Sequence, residues 1–406
     1  MTTAGTPLPR AVAPNSMLAR IFLAFLASAG LFYVNIMPAI VDGLKEGLGF
    51  TDQQAGFAAS ANVYGAAVGA LLIVFIVKRI SWRPVSYGLL GTLILMDLLS
   101  MLIASPEPMI AIRFAHGCIG GALVGTGFSV IARTLHPDRT FGVLLFVQFG
   151  LGGLGNLFIP RLVPLFGTDV LFLSLIAFSV ATTLMVPFLD RYEVTAEQER
   201  THSSPKAAIP LIPISLVLAS LFLFQASNNG LFAFIIGLGK VSGLELNFIT
   251  LSLAVAGWIG LLGAGLVIVF HTRYGRTIPL ALAMLATMAA TWALHYSVSG
   301  TVYLLANCVI GVTWAFVMSY LLGLVAAFDR TGQMAALGGF ASKMGLASGP
   351  LAGGLLLGDD NYGLLINLAV VGLALSAVAS LIPARLKDRP EQSELIEDIT
   401  IVGKLD

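Results

Sequence analysis

The chain has 406 residues, of which 57% are apolar and only 11% are charged. Soluble globular domains carry about a quarter charged residues, so this composition excludes a water-soluble protein and predicts the lipid bilayer as the main partner. The formal net charge of +1 argues against a nucleic-acid partner, because no excess of basic side chains is present to displace counterions from phosphates.

Twelve apolar segments are long enough to cross a membrane as helices. The requirement is about 20 residues, because the hydrocarbon core is roughly 30 Å thick and a helix satisfies its own backbone hydrogen bonds there. The first six segments cover residues 19–42, 54–77, 84–104, 108–132, 141–164 and 169–189. The last six cover residues 210–238, 247–271, 277–298, 300–328, 332–357 and 361–384. These segments predict an all-α membrane protein.

A polar stretch divides the twelve segments into two groups of six. Residues 190–209 form the only internal stretch polar enough to be a solvated linker. We therefore expect an N-terminal six-helix bundle over residues 19–189 and a C-terminal six-helix bundle over residues 210–385. Residues 1–18 and 386–406 are predicted to be polar tails.

The basic residues predict the orientation, because short cytoplasmic loops carry an excess of Lys and Arg. With the N-terminus inside, seventeen of the 22 Lys and Arg residues fall on the cytoplasmic side. Lys45, Arg161 and Lys240 then face outward, and Arg113 and Lys343 remain within the membrane. We expect both termini in the cytoplasm, a location in a bacterial inner membrane, and a monomeric chain.

The two halves are related by an internal repeat. A shift of 194 positions aligns Asn35 with Asn229 and Arg79 with Arg273, and two homologous halves explain these matches most simply. The first segment, 19–42, resembles a cleaved signal peptide in its small residues and apolar length. The repeat argues against cleavage, because it needs both copies of the first helix.

Three short motifs match those of a known family. The loops at residues 78–83 and 272–276, after the second and eighth segments, keep basic positions of the family's Asp-Arg-x-Gly-Arg-Arg pattern but lack its acidic residue. The fourth segment holds Arg-x-x-His-Gly at residues 113–117, where the family pattern is Arg-x-x-Gln-Gly. Over residues 19–385 the chain resembles the major facilitator superfamily of secondary transporters.

This resemblance implies two bundles that rock around a substrate held between them near the middle of the membrane. It also implies conformational-switch loops at Arg79, Arg83, Arg273 and Arg276. The antiporter-type pattern Gly-x-x-x-Gly-Pro-x-x-Gly-Gly stands at residues 345–354, in the eleventh segment and not in the fifth. That position weakens an assignment as a drug/proton antiporter.

Three charged side chains, Asp97, Arg113 and Lys343, lie deep in the predicted segments. A charge at the centre of a spanning helix costs roughly 2.5–3.5 kcal/mol on insertion scales, so such residues usually face a wet cavity or a partner. Asp97 and Arg113 have similar depths in adjacent antiparallel segments and are predicted to pair. The pair either neutralises itself and holds two helices together or, with His116, forms a proton-coupling site.

The balance of these three charges is positive and favours an anionic substrate. We expect Arg113 to bind a carboxylate, with Lys343 on the opposite side of the cavity. Further candidate substrate-binding residues are Tyr33, Asn35, Gln225, Asn229, Asn307 and Trp314. Each of these either contacts the substrate or packs against another helix. Packing is favoured for Tyr33, Asn62, Tyr64, Gln148, Asn228, Asn307 and Trp314.

No motif supports ATP-driven transport, catalysis or a metal site. A phosphate-binding loop is absent, the five histidines lack ligand spacing, and Cys118 and Cys308 lie inside apolar segments. No cofactor is expected. We predict a secondary active transporter of a small organic anion, with proton coupling. The alternative is proton-driven efflux of drugs, sugars or other neutral or amphipathic compounds, and a membrane enzyme or nontransporting scaffold is a distant alternative.

Overall fold

The computed structural model describes residues 12–76, 81–192, 211–270, 275–328, 333–358 and 361–402. In the first half (residues 12–192) the helices are α1 (Met17–Ala29), α2 (Phe32–Asn35), α3 (Met37–Leu48), α4 (Asp52–Ile76), α5 (Trp82–Ser100), α6 (Pro106–Ile131), α7 (Pro137–Phe166) and α8 (Asp169–Met185). In the second half (residues 211–402) they are α9 (Leu211–Ala233), α10 (Ile235–Val241), α11 (Leu246–Phe270), α12 (Thr277–Ala293), α13 (Gly300–Phe328), α14 (Gln333–Leu357) and α15 (Tyr362–Val402).

The helical architecture agrees with the sequence prediction. Each of the twelve predicted segments overlaps one helix or a short series of helices. Nine of the helical stretches in the described part of the chain are long and apolar enough to cross a membrane. The count of twelve segments is consistent with this arrangement. The predicted linker at 190–209 falls largely on residues 193–210, which lie outside the described residues.

Two predicted segments are interrupted. The first, residues 19–42, is divided into α1, α2 and α3, and the seventh is divided at Phe234 into α9 and α10. Pro38 stands in the first turn of α3. Proline lacks the N–H that would continue a helix and its ring collides with the carbonyl four residues earlier, so it is tolerated where a helix begins but not within one. At the end of α2 the main-chain oxygen of Asn35 accepts a hydrogen bond from Asn156 Nδ2 in α7 over 3.0 Å.

Small residues bring α4 and α6 into backbone contact. A Cβ atom built at Gly117 would overlap the main-chain oxygen of Asn62, and one built at Gly69 would overlap that of Cys118. In a membrane such close approach provides the van der Waals contact that holds helices together, because lipid supplies no hydrophobic drive between them. The α4–α6 pair is therefore a rigid support for the side chains that it carries.

The two halves meet mainly along α4 with α14 and along α7 with α11. The Lys240 ammonium in α10 lies 2.6 Å from a carboxylate oxygen of Asp42 in α3. Arg161 near the end of α7 donates to the Thr250 hydroxyl in α11 over 2.8 Å. We call this end of the molecule, where α3 meets α10, the closed end. The predicted orientation would place it outside the cell.

The hydrogen bonds between described residues of the two halves are confined to one part of the molecule. Every described hydrogen bond between the halves lies near the middle of the helices or toward the closed end. Away from that end, Val217, Leu321 and Leu324 belong to an apolar cluster that contains no first-half residue among those described. Among the described residues, the hydrogen bonds and ion pairs between the halves therefore lie at one end and around the middle.

Candidate functional site

A cavity of about 300 Å³ lies between the two halves. It is lined from the first half by α2 and α7 and from the second half by α9, α11, α13 and α14. Seven of its lining residues carry a carboxamide: Asn35, Gln148, Asn156, Gln225, Asn228, Asn229 and Asn307. Among the described residues that line it, none is Lys, Arg, Asp or Glu. We refer to this space as the carboxamide cavity.

Helical periodicity places these side chains on the cavity face. In α7, Gln148, Gly152 and Asn156 follow each other at intervals of four residues, and in α9 Gln225 and Asn229 do the same. Positions four residues apart share one face of a helix, so each of these helices turns its carboxamides toward the cavity.

An aromatic group forms one wall of the cavity. Trp314 Nε1 donates to Gln225 Oε1 over 2.7 Å, and Gln225 Nε2 in turn donates to the Ser342 hydroxyl over 3.0 Å. The Trp314 ring meets the Phe149 ring of the other half edge to face, with 6.0 Å between the centroids. This wall therefore combines an oriented indole with a flat apolar surface, which suits a planar or apolar part of a ligand.

Several carboxamides use their NH₂ groups within the protein. Asn228 donates to the Phe224 carbonyl and Asn307 to the Tyr303 carbonyl, each over 2.8 Å and each within its own helix. Asn229 donates to the Leu346 carbonyl over 2.6 Å and thereby ties α9 to α14. With the NH₂ groups engaged in this way, the side-chain oxygens remain as acceptors for a ligand.

A second polar group lies inside the first half and outside the cavity. Arg113 NH1 donates to Asp97 Oδ1 over 2.9 Å, and Arg113 also donates to the hydroxyl of Ser100. His116 Nε2 lies 3.3 Å from Asp97 Oδ2, while Asn62 Nδ2 lies 2.9 Å from His116 Nδ1. Asp97 and Arg113 are both fully buried. The pairing that their depths predict is present in the structure.

The hydrogen bonds of Asn62 indicate the state of the imidazole. Asn62 Nδ2 also donates to the Arg113 carbonyl over 3.2 Å, so its NH₂ group faces His116 Nδ1 as a donor. His116 Nδ1 must then be an acceptor, which leaves the imidazole neutral with its proton on Nε2, directed toward Asp97.

The structure does not place the two predicted anion-binding cations on opposite sides of the cavity. Arg113 lies within the first half, where Asp97 and Ser100 engage its guanidinium and the Phe172 ring lies 5.2 Å from it. Lys343 in α14 is half-buried and is not part of the cavity lining. It forms no hydrogen bond or ion pair with any described residue. The depth of a residue along a helix does not reveal the direction of its side chain, and that direction separates Arg113 from the cavity.

Other predicted residues divide between the two polar groups. Asn35, Gln225, Asn229, Asn307 and Trp314 line the carboxamide cavity. Tyr33 is buried elsewhere, with its ring 6.2 Å from that of His116. Asn35 and Tyr33 therefore link the cavity to the buried charges through the four-residue helix α2.

Some lining residues differ from what the sequence predicts. Gln148 and Asn228, for which helix packing is favoured, both line the cavity. Asn156 and Phe149 are lining residues that sequence reasoning misses. The signal for Asn156 is its spacing of eight residues from Gln148, which places two amides on one face of an otherwise apolar helix.

The predicted switch loops are described only in part. Arg79 and Arg273 lie outside the described residues. The Arg83 guanidinium stands over the Trp82 ring at 5.4 Å. The backbone N–H of Arg276 donates to Asp388 Oδ1 over 2.8 Å, so a carboxylate from α15 reaches the loop that lacks its own.

The chain is similar to known proteins both in sequence and in fold. A family model described as Major Facilitator Superfamily matches residues 21–350. A point mutant of the nucleoside transporter NupG has a similar structure, with a TM-score of 0.68 and 15% identity over 91% of this chain and 99% of that one. A second NupG structure gives 0.65 and 14% over 90% and 98%. These identities show a shared fold alone. No curated protein matches the chain.

Proposed function

Because the chain belongs to the Major Facilitator Superfamily, we propose that it carries a small neutral polar solute across a membrane by alternating access, bound in the carboxamide cavity. Membership in this family makes the chain a transporter with an all-α membrane fold and not an enzyme, which confirms those predictions. The nature of the solute and the proton coupling are proposals. They rest on the lining of the cavity and on the buried charges.

The lining of the cavity carries the proposal of a neutral solute. Seven carboxamides line it, and no charged side chain does among the described residues. A buried ion without a counter-charge or dense hydrogen bonding is strongly disfavoured, so an uncharged solute fits this lining better than an anion. Carboxamides offer both donors and acceptors, which suit hydroxyl and amide groups. The finding favours the neutral-solute alternative over the organic anion.

Nucleosides are the first solutes to test. NupG is described as a nucleoside transporter, although the low identity of 15% supports no transfer of its substrate to this chain. The independent support is chemical, because a nucleoside combines hydroxyl and amide groups with a flat ring. The Trp314–Phe149 wall and the carboxamides offer contacts for both parts.

One observation favours an organic anion as the second candidate. Lys343 is half-buried and forms no hydrogen bond or ion pair with any described residue. It stands three residues before Leu346, a residue of α14 that lines the cavity. A rotation of its flexible stem would bring the ammonium toward the cavity. Arg113 is less suited to this role, because Asp97 and Ser100 already engage it.

We propose the buried charges as the proton-coupling site, with Asp97 as the group that accepts the proton. His116 Nδ1 faces the NH₂ group of Asn62, so protonation of the imidazole would require that amide to turn. Protonation of the Asp97 carboxylate would instead weaken its bonds with Arg113 and His116 and would leave the Asn62 amide in place. Tyr33 packs beside His116 while Asn35, two residues later, lines the cavity, and α2 thus offers a physical link between the two sites.

The remaining expectations about the chain are proposals of the same kind. We place residues 19–189 and 210–385 as the two bundles, with 190–209 as the linker. Both termini would face the cytoplasm of a bacterial cell, and the chain would act as a monomer. In that orientation the end at which Lys240 and Arg161 join the halves would face away from the cytoplasm.

Uptake into liposomes tests the proposed function. Purified protein is reconstituted, and entry of labelled uridine, glucose and benzoate is followed with and without an inward proton gradient. We expect entry of at least one neutral solute, loss of its accumulation with a protonophore or in Asp97→Asn, and no effect of Lys343→Gln. Lys45→Gln is the matched lysine control. Entry of benzoate alone, abolished by Lys343→Gln, would overturn the neutral solute in favour of the anion.

A further inference from the structure

Two amide atoms at the cavity are buried without a partner. Asn35 Nδ2 and Asn156 Oδ1 have no hydrogen-bond partner among the described residues. Both residues line the carboxamide cavity, and Asn156 is only 4% exposed. Buried polar atoms in folded proteins are almost always paired, so an unpaired donor beside an unpaired acceptor at a cavity points to a ligand that supplies both missing bonds.

The protein fixes the orientation of the acceptor. Asn156 Nδ2 donates to the main-chain oxygen of Asn35 over 3.0 Å and to that of Gly152 over 3.1 Å. Both N–H bonds of the amide are used, so its oxygen is the atom left over. A rotation that exchanged oxygen and nitrogen would place an acceptor against two carbonyls. The free acceptor is therefore a fixed property of the site.

The donor lies in the adjacent helix at the same level. The bond from Asn156 reaches the backbone of Asn35 itself, and a Cβ built at Gly152 would lie 3.0 Å from the Asn35 Cβ. Helices α2 and α7 are thus in close contact at this point. The Asn35 NH₂ donor and the Asn156 oxygen acceptor consequently belong to one small patch of the cavity wall.

We propose that Asn35 and Asn156 form a subsite for the cis-amide edge of a planar heterocyclic solute. Such an edge presents a carbonyl oxygen next to an N–H, which complements the donor of Asn35 and the acceptor of Asn156. Phe149 lies in the same helix as Asn156, and with Trp314 it supplies the flat wall that a ring needs. The inference rests on the proposed transport of a neutral solute and names the chemical group that this part of the cavity recognises.

Binding of matched nucleosides to the purified full-length protein tests the subsite. Uridine carries the amide edge, whereas 3-methyluridine has lost its N–H and places a methyl group there. We expect uridine to bind at least about tenfold more tightly than 3-methyluridine, the effect of one hydrogen bond left unmade at a buried acceptor. This comparison uses the unaltered protein, so it does not depend on a variant that folds.

A substitution separates the two amides. In Asn35→Leu the donor is lost, and we expect weaker uridine binding while the preference over 3-methyluridine, which depends on Asn156, is retained. Thr92→Val, on an exposed helix surface, is the control for general effects of substitution. Equal affinity of the unaltered protein for the two nucleosides would overturn the subsite. Transport of glucose without binding of either nucleoside would overturn it too but leave the neutral-solute function intact, whereas transport of anions alone would overturn that function itself.

Discussion

At the scale of single residues, the buried charges form a closed group. Asp97 and Arg113 are fully buried and bonded to each other, and Ser100 and His116 make further contacts with them. Arg113 Nε is left without a hydrogen-bond partner among the described residues. The arrangement explains how two charged side chains are tolerated in apolar segments without facing a ligand. Their cost is offset by mutual attraction and by hydrogen bonds, but only while both partners are present.

Removal of one partner should therefore destabilise the protein more than removal of both. In Arg113→Gln the Asp97 carboxylate stays buried without its counter-charge, and we expect a loss of about 3–5 kcal/mol in stability. The double variant Arg113→Gln with Asp97→Asn should recover most of that loss, because no net charge is then buried. Thermal unfolding of the detergent-solubilised proteins measures the difference. If the double variant were as unstable as the sum of the two single variants, the closed ion pair would be the wrong description.

The sequence predicts several residues of the carboxamide cavity but not the direction in which the Arg113 side chain points, and the reason is physical. Asn35, Gln225, Asn229, Asn307 and Trp314 are identified because polar groups in apolar helices need partners or a wet surface. The direction of Arg113 is not predictable in the same way. Depth follows from counting residues, but the rotation of a helix about its axis depends on how its neighbours pack, which the residues of one helix do not determine.

At the scale of elements, the interrupted helices differ most from the prediction. Hydropathy treats residues 19–42 as one segment because most of its residues are apolar and the polar ones are isolated. Pro38 is the visible sign of the interruption, since it begins α3 and could not continue a helix from α2. No comparable residue explains the break at Phe234 between α9 and α10. The short helix α2 gains its position from this interruption and presents Asn35 to the cavity.

Ion pairs join helices α3 and α10 at the closed end. We call this group of Lys240, Asp42 and Glu46 the latch. The Lys240 ammonium lies 2.6 Å from Asp42 and 3.0 Å from Glu46, across the boundary between the halves. Burial lowers the pKa of Lys240, but the carboxylates of Asp42 and Glu46 raise it by more, so the net shift is upward. The stabilising contribution of a raised lysine pKa is complete below the ordinary lysine value and is lost only as the pH rises through the raised value. The ammonium side of the latch is therefore fully charged at neutral pH.

Loss of this latch should shift the conformational equilibrium. Partly exposed ion pairs contribute about 0.2–1 kcal/mol each, so Lys240→Gln should increase the population opened at this end by a few-fold. Spin labels at Leu48→Cys and Val241→Cys, in a chain with Cys118 and Cys308 replaced by alanine, report the separation of α3 and α10.

The matched control is Lys45→Gln. Lys45 pairs with Asp52 over 2.5 Å within the first half, so its removal breaks a similar ion pair without crossing the boundary. We expect the separation of the labels to be unchanged in this variant. A longer distance in Lys45→Gln equal to that in Lys240→Gln would mean that the labels report a general loosening and not a latch.

At the scale of the whole molecule, apolar length and basic-residue placement predict the architecture. The segments fix where helices form because only a helix satisfies its backbone in lipid, and the match over residues 21–350 shows the family. Which end is closed does not follow from the sequence. Alternating conformations of one chain use the same residues and differ by a few kcal/mol, so their relative stability depends on contacts such as that of Lys240 with Asp42.

The charge balance of buried residues is also misleading at this scale. Summed over Asp97, Arg113 and Lys343 it is positive and suggests an anionic ligand. The structure distributes these residues differently, with two of them bonded to each other and the third outside the lining. In the proposed binding mode a ligand meets the local surface of the cavity, which combines seven carboxamides with aromatic, aliphatic and glycine residues.

Equilibrium binding of matched neutral and anionic solutes to the purified protein tests this account most directly. Uridine and its 6-carboxy derivative orotidine form one pair, glucose and glucuronate another, and nicotinamide and nicotinate a third. We expect at least one neutral member to bind and its anionic counterpart to bind at least about tenfold more weakly, because no charged side chain lines the cavity among the described residues. Binding of an anionic member with no binding of its neutral counterpart would contradict it.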